Sequence, residues 1–530
     1  MYWTRMERRP RLCRMKIIPA LLSLGIAACA TQDPHEGHGA HARLGKVHFP
    51  VECNATAQRD FDLAMAYYHS FAWAQIREPL ERVLEADPSC GMAHWARALA
   101  SLDNPFAWPG IVSPAALSQG PEILETARRT GLKSQRERDY VDALAVFFRD
   151  SDKRDHRSRA KALEAAMEQV TQRHPQDREA ATLYALVLSA NFDPADRKYT
   201  NQLKAAAILE PIFKEQPQHP GVAHYLIHSY DYPPIASHGL DAAQRYSRIA
   251  PDAAHALHMP SHIFTRVGAW KESIESNRES ARVAAEAARA SPARGLHDQL
   301  HAMDYLVYAH LQLAQHRQAR EVVEEMTQLK GFNPNIRTGP YAIAASTARY
   351  AIERNDWKAA AGLEVRPTRF AYVDAITHFA RALGAARSGS PEAARADIAK
   401  LAELRDKLRA AKDAYWAEQV EIQWLVATAW LLHGEGRHDE ALSTMGRAAD
   451  AEDRTEKSVV TPGPLAPARE LYGAMLLERA MAKDALAAFE ATLVKEPNRY
   501  NAIAGAARAS ELLGDRAKAK TYYEKLVASN

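Results

Sequence analysis

Four cysteines in 530 residues, with no Cys-x-x-Cys pair among them, leave no redox motif of the thioredoxin kind. No glycine-rich phosphate loop, no Gly-x-Ser-x-Gly elbow and no His-Glu-x-x-His occurs, so no catalytic signature is evident. Aromatic residues reach only 8%, and runs of β-branched residues that would build strands are rare. Charge of one sign is not in excess either. Beyond residue 28 the chain carries 62 basic and 64 acidic side chains, a near-neutral balance that argues against a nucleic-acid binder. No second apolar run follows the N-terminal one. What is abundant is alanine, leucine, glutamate and arginine in long stretches, a composition that favours helix.

The N-terminus has a basic stretch (Arg5, Arg8, Arg9, Arg11, Arg14, Lys16) followed by apolar residues 17–28 that stop at Cys29. This run is too short to span a bilayer and reads as a signal peptide over 1–28. Ile26-Ala27-Ala28-Cys29 resembles the bacterial lipobox, in which the cysteine is acylated; the alternative is an ordinary cleaved signal with an incidental cysteine. Met15 would give a cleaner signal start than Met1. Ala30 is not the aspartate that retains many lipoproteins in the inner membrane, so the expected place is the cell envelope, on the outer membrane facing the periplasm. Residues 29–57 contain His35, His38, His41 and His48 and read as a flexible tether; the tract can capture zinc or copper loosely or serve as a solvated linker.

With Cys13 and Cys29 assigned to the export segment, Cys53 and Cys90 remain, and an oxidising compartment makes them a disulfide pair. The closed loop of about 37 residues would contribute roughly 3–4 kcal/mol. Two buried free thiols are the alternative.

From Gln58 the apolar pattern turns helical. Phe61, Met65, Tyr68 and Ala72 share one face, Leu80, Val83 and Leu84 follow, and Asp87-Pro88 ends the pair. Residues 484–490 align with 518–524 at an offset of 34, the tetratricopeptide period, with Ala485 and Ala519 as the small positions and Phe489 and Tyr523 as the filling ones. Units end at Pro175, Pro217, Pro251 and Pro497. The chain resembles tetratricopeptide repeat proteins from Gln58 onward, which implies an all-α fold: a right-handed solenoid of antiparallel helix pairs, divided as 58–330 and 331–530. The stretches VHFPVEC (47–53), YYHSFAW (67–73), ADPSCGMAHW (86–95), HPGVAHYLIHSYD (219–231), HALHMPSHIFTRVG (255–268) and TPGPLAPARELYGAMLLE (461–478) also resemble an uncharacterised family of bacterial exported repeat proteins. Met92 to Ala96 departs from that family's MAYWG. The resemblance implies fold and compartment and is silent on activity. Stacked helix pairs leave a concave wall, so the expected function is a scaffold binding a protein or peptide partner, more a binder than an enzyme.

Histidine breaks this pattern. Eleven of the 22 lie between residues 219 and 316, where an even spread gives about four. His224/His228, His258/His262 and His297/His301 are four apart, a spacing that lets two imidazoles on one helical face ligate one ion. His224, His228, His258 and His262, supported by His255 and His301, are the candidate ligands for zinc or copper, with Asp231 or Asp304 to orient imidazoles. Pro260 predicts a break between His258 and His262. The competing reading is a polar groove without metal. Trp73, Trp95, Trp108 and Phe106 read as core or as the floor of a pocket.

Overall fold

The computed structural model describes residues 42–290 and 292–529; the signal segment 1–28 and Cys29 lie outside them. Among the described residues the elements are α-helices and three short 3-10 turns, with no strand. Helices end where the sequence predicts, at Arg173, Glu215, Ile249 and Lys495, each shortly before a proline that cannot continue the hydrogen-bond ladder.

One local device recurs at seven helix junctions. Gly268, Ala314, Asn355, Lys412, Gly436, Ala480 and Gly514 all have positive φ, between 52° and 81°. Each lies two residues before a new helix, starting at Trp270, His316, Trp357, Ala414, His438, Ala482 and Arg516. A single left-handed residue reverses the chain after a helix, so this repetition folds successive helices back on one another as antiparallel pairs. Close approach is secured by small residues. A Cβ on Gly505 would meet the Phe489 ring at 2.3 Å, and one on Gly473 would meet it at 2.9 Å. Phe489 thus fills the space between adjacent repeats, as the 34-residue alignment implies. Among the described residues the fold is an all-α helical-repeat solenoid.

One feature differs from the sequence expectations. The end of the expected tether 29–57 is packed on the repeats: Leu44 and Phe49 are buried, Arg43 binds Asp252 at 2.7 Å, and Phe49 packs against Phe61, Trp95 and Tyr140. Apolar side chains spaced along this segment gain more from the repeat surface than from water. Cys53, at its end, is bonded to Cys90 with Cα atoms 5.4 Å apart. The arrays 58–330 and 331–530 both fall within one compact unit, Arg43–Asn530.

The later repeats also return to the earlier ones. Trp270 Nε1 donates to the Asn498 carbonyl at 2.9 Å, Asn498 Nδ2 to the Gly268 carbonyl at 3.2 Å, and the Tyr500 amide to Gln312 Oε1 at 3.0 Å. The loop between the helices His438–Asp453 and Ala468–Glu478 reaches inward, with Val460, Thr461 and Leu465 buried. Arg349, fully buried, pairs with Asp304 and donates to Thr461 Oγ1 at 2.8 Å and to the Gly463 carbonyl at 2.9 Å. A buried guanidinium costs several kcal/mol unless its donors are met, so this loop is held firmly against the curved wall.

Candidate metal centre

The helix Pro220–Tyr230 starts with Pro220 at its first position, where a missing N–H costs nothing, and with the His219 ring accepting from the Val222 amide at 3.2 Å. It is buried along its whole length. Gly221 lets the helix Ala55–His69 approach: a Cβ there would sit 2.4 Å from His69 Nδ1. That approach brings the His69 carbonyl 2.7 Å from His224 Nδ1.

The break expected at Pro260 does not separate His258 from His262. The helices Ala254–His258 and Pro260–Arg266 abut, with only Met259 between them at φ −53° and ψ −37°, values of an uninterrupted α-helix. Tertiary packing around this buried segment outweighs the local preference against helix before proline. The two imidazoles therefore stay one turn apart on one face, Nε2 to Nε2 at 3.1 Å.

The six expected ligands come together in two triads, His224/His228/His255 and His258/His262/His301. One possible donor atom from each residue lies within 4.8 Å of the others in its triad. His224 Nε2 and His255 Nε2 are 3.1 Å apart. The triads adjoin, with ring centroids 6.0 Å apart for His228 and His262 and 6.2 Å for His255 and His258. Phe106 stacks on His228 at 3.8 Å and Phe71 on His255 at 5.3 Å, while Tyr305 meets His258 edge-on at 4.6 Å. These rings cover much of the cluster, in which His255 and His301 stay partly exposed. Phe106 serves here, whereas Trp95 belongs to the core, its indole N–H given to the Tyr140 carbonyl.

Hydrogen bonds fix which nitrogen is protonated in three of the rings, those of His224, His258 and His262. His224 Nδ1 faces a carbonyl oxygen and must donate. His258 Nδ1 lies 2.7 Å from Asn277 Oδ1, whose own amide nitrogen donates to the Ser273 carbonyl, so that contact too is a donation. His262 Nδ1 donates to Asp231 Oδ2 at 2.8 Å. In the neutral rings, His258 and His262 thus turn two Nε2 lone pairs toward each other. Lone pairs 3.1 Å apart repel unless a cation lies between them. Two nitrogens bound to one zinc at about 2.0–2.1 Å stand about 3–3.4 Å apart, so the spacing is that of two ligands on one ion.

Electrostatics keeps the rings in the ligating form. Burial, and then the neighbouring imidazoles, push His224, His228, His258 and His301 well below the ordinary histidine range. Burial also lowers His262, against the opposing pull of Asp231. His228 Nε2 and His301 Nδ1 are buried and lack a hydrogen-bond partner, which costs about 1–3 kcal/mol each unless something else binds them. Burial raises the Asp231 carboxyl, but Lys457, Arg266 and His262 outweigh it and hold it well below the usual range. Lys457 Nζ and Arg266 Nε bind this carboxylate at 2.9 and 2.8 Å. A cavity of about 80 Å³ opens beside it, lined by Arg266, Lys457, Glu456, Tyr341, Tyr415 and Thr461. That is room for several waters or a small molecule.

Other candidates lie elsewhere. Asp304 orients no imidazole: it binds Arg349 and Ser346, and burial pushes its carboxyl up to about 6. His297 accepts from the Gly339 amide, His310 meets Gln315, and His48 meets Asp62. His69 and His219 both meet Glu179, at 3.0 and 2.7 Å. Because Tyr225 and the Val222 amide occupy the other nitrogens of these two rings, this third cluster is a closed hydrogen-bond network beneath the first. Sequence reasoning missed His69, Asn277, Tyr305, Phe71 and Lys457. His69 and Phe71 fall within YYHSFAW, the only sequence signal that could have pointed to them.

No protein-family description and no curated protein matches the chain. Solved structures with similar outlines include the yeast Tom70 (11% identity, 88% of this chain and 90% of that one, TM-score 0.34). The Cut9–Hcn1 hetero-tetramer matches at 10% identity over 90% of this chain and 94% of that one, TM-score 0.27. Naa15/Naa10 bound to HypK-THB matches at 12% identity over 89% and 75%, TM-score 0.23. At such scores these likenesses carry no argument about function.

Proposed function

We propose that this chain is a metal-binding protein whose repeats support six imidazoles, His224, His228, His255, His258, His262 and His301, around ions of the zinc or copper class. The observation that carries the reading is the pair of Nε2 lone pairs of His258 and His262 at 3.1 Å, each aimed by a hydrogen bond on the opposite ring nitrogen. Imidazoles aimed by a hydrogen bond on the opposite nitrogen, as those of His224, His258 and His262 are, suit such metals. The test is elemental analysis of chelator-free protein carrying H35A, H38A and H41A, so that the tether cannot contribute. At least one ion per chain is expected, with the content lowered in H258A/H262A, which empties the triad His258/His262/His301; a content well below one in the parent rejects the reading.

We further infer an exported lipoprotein of the cell envelope, acylated at Cys29, on the outer membrane facing the periplasm, and akin to the exported repeat family. The lipobox-like stretch and the Cys53–Cys90 bond support it. Labelling with a fatty acid should mark the wild type and not Cys29→Ser; equal labelling contradicts the anchor. A second reading, a partner-binding scaffold, is favoured by the exposed Leu512, Leu513, Tyr523 and Val527 at the last helix pair. If V527E/Y523E recovers the same proteins in pull-downs as the wild type, that surface is not the binding one.

A further inference from the structure

We propose that the two triads hold one copper ion each, and that the reduced pair takes up dioxygen as a bridging peroxide, an inference that rests on the metal-binding reading above. Three arguments lead there. The first is stoichiometric. Six imidazoles exceed what one tetrahedral ion needs, and they divide three and three, His224/His228/His255 and His258/His262/His301. Three protein ligands leave a coordination position open on each ion for a ligand from outside. The second is proximity. Rings of different triads come within 6.0 and 6.2 Å, centroid to centroid, so the ions they hold are near neighbours that one small molecule can bridge. Two-metal centres generally hold their ions about 3.5–4 Å apart.

The third argument is charge. All six ligands are imidazoles, which bind a metal in the uncharged form, and the nearby carboxylates already carry cationic partners: Asp231 has Arg266 and Lys457, Asp304 has Arg349. Asp231, which accepts from the ligand His262, is already matched by Arg266 and Lys457, so further positive charge in this largely buried site is costly. Two divalent ions would bring four positive charges, two cuprous ions only two. Oxygenation preserves that balance. Each copper(I) gives one electron to dioxygen, the oxygen–oxygen double bond becomes a single bond, and the resulting peroxide dianion binds the two copper(II) ions. The net charge of the centre is two positive before and after, with no proton moved and no further reductant consumed. Imidazole ligands suit copper in both oxidation states.

The experiment loads the full chain carrying H35A, H38A and H41A with cuprous ion under anaerobic conditions and then admits air. Two coppers per chain are expected, together with a peroxide-to-copper(II) charge-transfer band in the near ultraviolet and no paramagnetic resonance signal, because the two spins couple. His228→Gln and His301→Gln each remove one ligand from one triad. Provided circular dichroism shows unchanged helix content, each should retain one copper, which gives an ordinary copper(II) resonance after oxidation and no peroxide band. A parent protein that holds a single copper, or two coppers with full-intensity resonance and no band, overturns the dinuclear proposal while leaving metal binding intact. Failure to retain any metal overturns both.

Discussion

Asn277 does for His258 what Asp231 does for His262: each accepts the Nδ1 proton and so turns the opposite lone pair inward. Such orienting partners typically contribute 10–100-fold to metal affinity. Asn277→Ala is therefore expected to weaken binding by about one to two orders of magnitude in competition with a chromogenic chelator, while leaving the helix content unchanged. An unchanged affinity would show that the tautomer is set some other way. Glu179 lies one layer below. Burial raises its carboxyl, but His219 and His69 outweigh it and hold it well below the ordinary glutamate value of 4.5. A carboxyl depressed in this way stabilises the fold above that value, and the contribution is lost as pH falls beneath it. Glu179→Gln should cost about 2–3 kcal/mol in urea unfolding at neutral pH, the scale of a charge-assisted hydrogen bond. It should also flatten the decline in stability below pH 4.5. A variant that keeps the wild-type slope would contradict this sign.

At the scale of elements, the recurring left-handed junctions make a direct prediction. Ala480 sits at φ 57°, a conformation that costs an L-residue roughly 1–2 kcal/mol and glycine little, and it is exposed. Ala480→Gly is expected to stabilise the fold by about 0.5–1 kcal/mol, because glycine's greater freedom in the unfolded chain offsets part of the relief. Gly505→Ala should have the opposite effect. Its Cβ would lie 2.3 Å from the Phe489 ring, and overpacking of this kind costs about 1–3 kcal/mol. Thermal unfolding of the two variants checks both signs. Much of this layer was legible in the sequence, since the 34-residue offset, the terminating prolines and the Phe489 position all follow from periodicity and backbone chemistry. The continuity through Met259–Pro260 was not. A local rule predicts a break there, and only the packing of a fully buried segment, invisible in the sequence, overrides it.

For the whole molecule, the six ligand positions were readable because histidine is enriched and spaced by one turn, whereas their supports were not. His69 lies 155 residues from His224, and Lys457 lies 226 residues from Asp231. Contacts at such separation depend on how the repeats close, and spacing along the chain carries no trace of that. The same closure turns the expected open wall into a packed one, filled by the loop around Thr461 and Gly463. The Cys53–Cys90 bond fastens the N-terminal segment to the first repeats, so C53S/C90S should lower stability by roughly 3–4 kcal/mol on the loop-entropy scale. Equal denaturation midpoints for the double variant and the oxidised parent would mean that the packing of Phe49 alone holds this end. The central claim, that converging imidazoles hold metal, is tested most directly by anomalous diffraction from crystals of the metal-loaded protein. The account predicts an anomalous peak between the Nε2 atoms of His258 and His262, about 2.0–2.1 Å from each. Density without such a peak, with the two rings turned to hydrogen-bond each other, would contradict it.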